Sequence, residues 1–532
     1  MPSSFAAELR IMKASGGELP QLVFRHTLLE SRRLAHPEFL QNGKSYCGDF
    51  EVMKALLAIF SILFTFAPGA AQATRKQPLK LGLEKQLFID NFIIYSVRNL
   101  KRVLHRPERH PGNPIMTGTE SWERWLIGVN GRAVIYDGET KEFKMWYGAY
   151  SSDPTLPHGQ GYRVCYAVSK DGVNWTRPAI GQVEWQGSRK NNILSWGDNW
   201  MRRPNVIKDT HERDPNRRYK MTYVDMIDGK SAIVKAYSKD GINWKRNVDR
   251  KPWFTDAHSA NLLGWDPRIQ QYVLYRRVID VQHTIGRSTS VDFSNWSEPQ
   301  VVLAPGLAEL DKGFQGLAAF LYEDVYLGFL WVRDVPLRLY DSELALSRDG
   351  TQWRRFHAPH RFLGRGEPGT WDSDGVTPVA PVVYGDKIWI YYSGWNYPYG
   401  GASLSPVQKG WIENGRRMQC AIGLATLRVD GFVSLDAGKE TGVLTTKALE
   451  LSGSLIVNAD VRGELRVEIV DGSGRPLKGF TESESDPIRT DSPRHVVSWN
   501  GKSNLIALTS KPVKLRFIMH DGSLFSFSAK KQ

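Results

Sequence analysis

The sequence predicts an all-β protein, a five-bladed β-propeller followed by a C-terminal β-sandwich, on three observations. A heptapeptide recurs along the chain, strands of similar composition precede each copy, and the repeat stops near Asp436. The heptapeptide reads Ser169-Lys170-Asp171-Gly172-Val173-Asn174-Trp175, then Ser238-Lys239-Asp240-Gly241-Ile242-Asn243-Trp244, then Ser347-Arg348-Asp349-Gly350-Thr351-Gln352-Trp353. Two degenerate copies are Ser290-Val291-Asp292-Phe293-Ser294-Asn295-Trp296 and Leu427-Arg428-Val429-Asp430-Gly431-Phe432.

Upstream of each copy lies an aromatic, β-branched run: 143–150, 219–224, 272–278, 326–332 and 388–395. Another apolar run precedes each of these, which makes four strands per repeat. One such unit cannot bury both faces, whereas a closed ring of units can. Helical patterns are nearly absent, which disfavours a TIM barrel or a doubly wound sheet.

The remaining elements follow in order. Residues 1–52 show no sustained periodicity and precede a secretory signal, so they read as a start assigned too early or a disordered extension. The signal is 53–73: Met53-Lys54, the apolar run Ala55 to Ala67, and Ala71-Gln72-Ala73, with cleavage expected after Ala73. That run is too short to span a bilayer comfortably, so the mature chain is expected to be secreted or periplasmic without a transmembrane span. The propeller occupies 74–436 and the sandwich 437–532, where shorter strands alternate with Gly and Ser turns.

The net charge of +14 favours anionic partners, and the 60 aromatic residues (18 Trp, 20 Tyr, 22 Phe) suit strands and sugar-stacking surfaces. Lys and Arg are spread along the chain without a nucleic-acid-binding signature, so no nucleic acid is expected. No Cys or His pair has zinc spacing, and neither a phosphate loop nor a G-x-S-x-G elbow is present; no metal or cofactor is expected. After signal removal only Cys165 and Cys420 remain, as one bridge or two thiols.

Antiparallel connectivity places the Asp-Gly turns at one end of the ring. Asp171, Asp240 and Asp349 therefore read as turn residues, whose carboxylates accept backbone N–H bonds. The other end gathers the starts of the inner strands, the ends of the second strands and the starts of the third. Candidate catalytic residues there are Glu123, Asp256 and Asp374, because glycosidic bond cleavage needs two carboxyl groups flanking the bond, and a third tunes the pair. Candidate substrate-binding residues are Asn205, His258, Gln315, Glu343 and Asp372, together with Arg203, Arg333 and Trp395. The two arginines either neutralise carboxylates or clamp an anionic sugar group, and Trp395 either stacks on a sugar or packs between blades.

The chain resembles the five-bladed propeller glycoside hydrolases, the superfamily of invertase, levansucrase and arabinanase, and looks most like exported bacterial proteins related to glycoside hydrolase family 32. The resemblance rests on Leu87-Phe88-Ile89-Asp90 with Arg106-Pro107, on His110-Pro111-Gly112-Asn113-Pro114, on the Ser-Lys-Asp-Gly strand ends, and on Gly369-Thr370-Trp371-Asp372-Ser373-Asp374 leading into Trp389-Ile390-Tyr391-Tyr392. It covers roughly 80–435. Asp90, in a matching motif, joins the candidate pocket residues. The invertase-type W-x-N-D-P-N-G opening and Glu-Cys motif are absent, and Arg333-Asp334-Val335-Pro336 is only superficially like the R-D-P triplet, so the family's catalytic acids are not carried over.

These readings imply an exported glycoside hydrolase acting on a poly- or oligosaccharide, with acidic polysaccharides among the carbohydrate partners to be considered. The alternative is a non-catalytic glycan-binding propeller. A sialidase-like reading is weaker, because the Asp-box carries one more residue between Asp and Gly and sialidases have six blades.

Overall fold

The computed structural model divides the chain into two compact units, Met1–Lys76 and Gln77–Gln532. It describes residues 79–80, 84–124, 126–150, 161–194, 201–246, 253–255, 260–279, 282–356, 361–397, 418–508 and 511–530, all in the second unit. The signal segment and 1–52 lie outside the described residues, as do Asp256 and His258. Helix among the described residues is confined to four three-residue 3-10 turns, and strands supply nearly all the regular structure.

Five antiparallel meanders follow one another. The second to fourth each run through four strands: Arg202–Lys208, Tyr219–Ile227, Lys230–Ser238 and Trp244–Arg246; Ala260–Asp266, Gln271–Ile279, His283–Ser290 and Gln300–Leu303; Lys312–Tyr322, Val325–Asp334, Leu339–Ser347 and Arg354–Arg355. In the first, Leu126–Gly128 and Val134–Asp137 together line Glu142–Tyr150, followed by Tyr162–Ser169 and Ile193–Leu194. In the fifth, Gly375–Pro378 and Val382–Tyr384 line Lys387–Trp395, which pairs with Cys420–Arg428. Its outer strand is Glu108–Arg109, brought from the N-terminal side of the first meander.

Successive meanders touch in cyclic order, first to second through fifth and back to the first. Backbone bonds join them: Val206 N donates to Arg132 O at 2.6 Å and Ala380 N to Gly131 O at 2.7 Å. Buried side chains staple neighbouring meanders where the inner strands end. Tyr219 donates to Asp137 of the preceding meander at 2.7 Å, Tyr272 to Asp209 at 2.6 Å, and Tyr326 to Asp266.

The repeated turns form a second set of latches. Asp171 Oδ1 accepts the Val173 and Asn174 N–H groups at 2.9 and 2.8 Å, and Asp240 and Asp349 do the same in their own turns. The following glycines have φ of +75°, +81° and +74°, a region that favours Gly. Each glycine carbonyl accepts a bond from an aromatic on the second strand of the preceding meander: Tyr391 to Gly172 at 2.8 Å, Trp146 to Gly241 at 2.7 Å, Tyr275 to Gly350 at 2.7 Å. A Cβ at Gly241 would come within 2.8 Å of the Trp146 ring, so glycine is needed twice over, for its backbone and for its missing side chain.

The third meander solves the same problem the other way round. Phe293 stands in the glycine position at φ +60°, fully buried against Tyr272, Trp253 and Trp296. The residue of the preceding meander that corresponds to Trp146, Tyr275 and Tyr391 is the small Thr222. The aromatic volume has moved from the neighbour's strand into the turn itself.

The turn carboxylates make stability acid-dependent. Against the upward push of burial, backbone N–H bonds hold Asp292 and Asp349 down to about 2. A depressed carboxylate pKa stabilises the fold above the unfolded value of ~3.9, and the contribution is lost as pH falls through the folded value. Denaturation midpoints are expected to drop between ~pH 4 and ~pH 2, and Asp349→Asn to flatten that slope. A slope unchanged in the variant would assign the acid sensitivity to other carboxylates.

A second sheet draws strands from both ends of this unit. Leu100–Leu104 pairs with Val433–Ala437, Ile94–Arg98 with Gly442–Thr446, and the long strands Ser454–Val470 and Pro512–Lys530 with each other. Their inward residues, among them Val457, Leu465, Val467, Leu515, Phe517 and Phe527, form a separate core. Asp430, in the degenerate turn of the fifth meander, ties this sheet to the ring. Its buried carboxylate accepts from Lys85 Nζ at 2.8 Å, Tyr322 Oη at 2.8 Å, Ser526 Oγ at 2.8 Å and Asn458 Nδ2 at 3.1 Å.

Candidate functional site

Where the inner strands converge, a cavity of about 570 Å³ opens among the starts of the first strands, the ends of the second and the starts of the third. Aromatic side chains supply much of its wall: Tyr150, Tyr162, Trp331, Tyr340, Trp395 and Tyr397. Polar groups come from Asn130, Arg202, Arg203, Gln315, Thr377 and Ser393. No Asp or Glu lines it among the described residues.

Local sequence explains how these groups are held. Tyr150 and Tyr162 face each other across the first meander's ladder, ring centroids 4.8 Å apart. Trp395 lies edge-on to Tyr340 at 5.2 Å, over Gly375, where a Cβ would come within 2.1 Å of the indole. Trp331 is fixed by its Nε1 donating to Pro378 O at 2.8 Å. Ser393 Oγ bonds both the N–H and the carbonyl of Val129, at 2.8 and 2.9 Å, seaming the fifth meander to the first. Gln315 bridges Arg277 and His283 and is nearly fully buried.

The expected site residues separate into two groups. Arg203, Gln315 and Trp395 line the cavity. Asn205 lies beneath it, its Oδ1 accepting from Arg132 N at 3.1 Å and its Nδ2 donating to Ala260 O at 2.9 Å, so it staples three inner strands. Asp374 immediately precedes the fifth meander's inner strand beside Trp395, whose carbonyl accepts its N–H at 2.9 Å, and its Oδ2 accepts from Ser373 Oγ at 2.8 Å. Arg333 lies opposite Tyr340 in the fourth meander's ladder, outside the lining.

The other carboxylates are placed away from the lining, each with its own arginine. Glu123 is fully buried and held bidentately by Arg177 at 2.8 and 3.0 Å, with a further bond from Tyr147. Burial, with Cys165 and Glu123 alongside, pushes the Tyr147 hydroxyl well above its ordinary value, so it remains a donor to Glu123. Arg177 and Tyr147 together supply the side-chain partners of this buried carboxylate. Asp372 pairs with Arg109 at 3.2 Å. Glu343 pairs with Arg355 at 2.8 Å, on the strand edge toward the outer strand. Asp90 pairs with Arg348 at 2.8 Å, beside the Asp349 turn and so at the opposite end of the ring from the cavity. In each of these the expected motif or strand is present, and the structure places its carboxylate against a nearby guanidinium.

Cys165 and Cys420 stand as separate thiols. Burial raises both, Cys420 to about 12, so neither is a thiolate nucleophile at neutral pH. Sequence reasoning did not single out Tyr150, Tyr162, Tyr340 or Tyr397. Their signal was position, since they lie where second strands end and third strands begin.

No family model matches the chain, and no curated protein sequence is similar to it. Among solved structures it is similar to a glycosyl hydrolase from Bacteroides ovatus, at 16% identity over 62% of this chain and 97% of that one, TM-score 0.41. A structure described with the GH130 family of mannoside phosphorylases, as containing glycoside hydrolases that target β-1,2 mannosidic linkages in Candida mannan, shares 17% identity over 61% and 94%, TM-score 0.40. A fructofuranosidase from Schwanniomyces occidentalis complexed with fructosylnystose shares 13% over 77% and 98%, TM-score 0.39.

Proposed function

We propose that this chain is an exported glycoside hydrolase, built as a five-bladed β-propeller with a β-sandwich, that processes a poly- or oligosaccharide in its central cavity. The observation that carries the reading is the cavity wall: six aromatic rings and a few fixed polar groups in about 570 Å³ suit the apolar faces and hydroxyls of sugar rings. The cyclic meanders support the propeller, and Ala71-Gln72-Ala73 after an apolar run supports export.

In this reading Asp374 is the nucleophile or base of the pair. It lies beside the cavity's Trp395, and the Ser373 hydroxyl donates to its Oδ2 at 2.8 Å, which fixes the orientation of the carboxyl group. Asp256, the other candidate, serves as its protonated partner, donating to the leaving oxygen while Asp374 attacks or activates water. The absence of a carboxylate from the described lining favours a second reading, a propeller that binds glycans without cleaving them.

Reducing-sugar release from a broad polysaccharide panel separates the two. With the chain from Thr74, Asp374→Asn and Asp256→Asn are each expected to lower release by at least ~10²-fold while the variants stay folded. Glu123→Gln is expected to act through stability, with a lowered melting midpoint. Saturable glycan binding without release, unaffected by either aspartate change, would leave the binding module as the function.

A further inference from the structure

We propose that the cavity recognises an oxyanion on its sugar, a uronate carboxylate or a sulfate ester, through the consecutive guanidinium groups of Arg202 and Arg203. This rests on the glycan-processing reading and extends it to a substrate class. Consecutive residues of a strand normally point to opposite faces. Here both arginines line the same cavity, because the ladder shifts register between Arg202 and Asn205 and Arg203 takes φ +57°. A bulge of this kind re-aims a side chain, and a left-handed backbone in a residue other than glycine persists only where its surroundings impose it.

The neighbours fit the same purpose. Arg202 lies over the ring of Tyr162, 5.4 Å from its centroid, and donates one bond to Ser231 Oγ at 3.0 Å. A guanidinium carries five N–H donors, so a partner in the wall does not exhaust it, and its planar fork matches a carboxylate or sulfate edge. The net charge of +14 draws anionic chains toward the molecule.

Calorimetric binding to four probes tests the proposal: a galacturonic acid trimer, its methyl ester, a sulfated galactose trimer and its desulfated form. The parent is expected to bind one acidic probe at least ~10-fold more tightly than its neutral counterpart. Preference for the uronate identifies a carboxylate as the anion, and preference for the sulfated trimer a sulfate ester. Arg203→Gly, which suits the backbone at that position, and Arg202→Gln are each expected to bring the ratio close to one while neutral sugar is still bound. Equal binding of acidic and neutral probes by the parent, or a ratio that survives both substitutions, overturns the proposal. So does failure to bind all four, and sugar release from any other member of the polysaccharide panel would then show that the glycan-processing reading stands without it.

Discussion

Replacing Asp430 by Asn is expected to lower stability by about 1–3 kcal/mol, the range for leaving buried donors without their acceptor. The carboxylate gathers donors from four places: Lys85 before the first meander, Tyr322 of the fourth, and Asn458 and Ser526 of the second sheet. Asn keeps the side chain's shape and tolerates the φ of +61° at this position, so the change isolates charge and acceptor capacity. It leaves the Lys85 ammonium with only the longer pair to Glu323, at 3.7 Å, and turns an NH2 group toward donors. Asp386→Asn is the control, since Asp386 also links the ring to the second sheet, through Arg494 at 2.7 Å, but both partners are more than half exposed. Its loss is expected to stay within ~1 kcal/mol. Chemical denaturation read by tryptophan fluorescence gives both values, and similar small losses would show that the neighbours of Asp430 rearrange to keep their bonds.

The second large effect concerns the exchange of aromatic volume between turn and strand. Phe293→Gly removes a fully buried ring, worth about 3–5 kcal/mol, and recovers up to ~1 kcal/mol by placing Gly at φ +60°. Thr222→Trp alone overpacks the same region and is expected to cost about 1–3 kcal/mol. Together the two changes rebuild the arrangement of Trp146 over Gly241, so the double variant is expected to be more stable than the sum of the singles by at least ~1 kcal/mol. Strict additivity in the double-mutant cycle would mean that Thr222 and Phe293 do not share a space.

That exchange also shows what a sequence discloses. The turn motif was legible because each copy solves one local problem, an Asp that caps its own turn and a residue in the left-handed region. Arg203, Gln315 and Trp395 could be placed because strand order alone says which strand ends meet. The carboxylates were harder, since whether an acid faces a ligand depends on which arginine reaches it. Arg177 lies 54 positions after Glu123, Arg348 258 after Asp90, and Arg109 263 before Asp372, separations that no local pattern encodes. The pairing of Leu100–Leu104 with Val433–Ala437 is hidden for the same reason. The cavity's tyrosines went unread because tyrosine is ordinary strand material, and only convergence of the strand ends gives it a second use.

The strand Glu108–Arg109 completes a meander whose other members lie between Gly375 and Arg428. In the order of synthesis it is therefore among the first made and the last placed. At about 5–20 residues per second the ribosome needs on the order of tens of seconds to deliver its partner. Throughout that interval the early strand has an open edge, and the meanders that form meanwhile make an arc without a seam. Delivery of Cys420–Arg428, rather than any folding event among the earlier strands, is what allows the circle to shut.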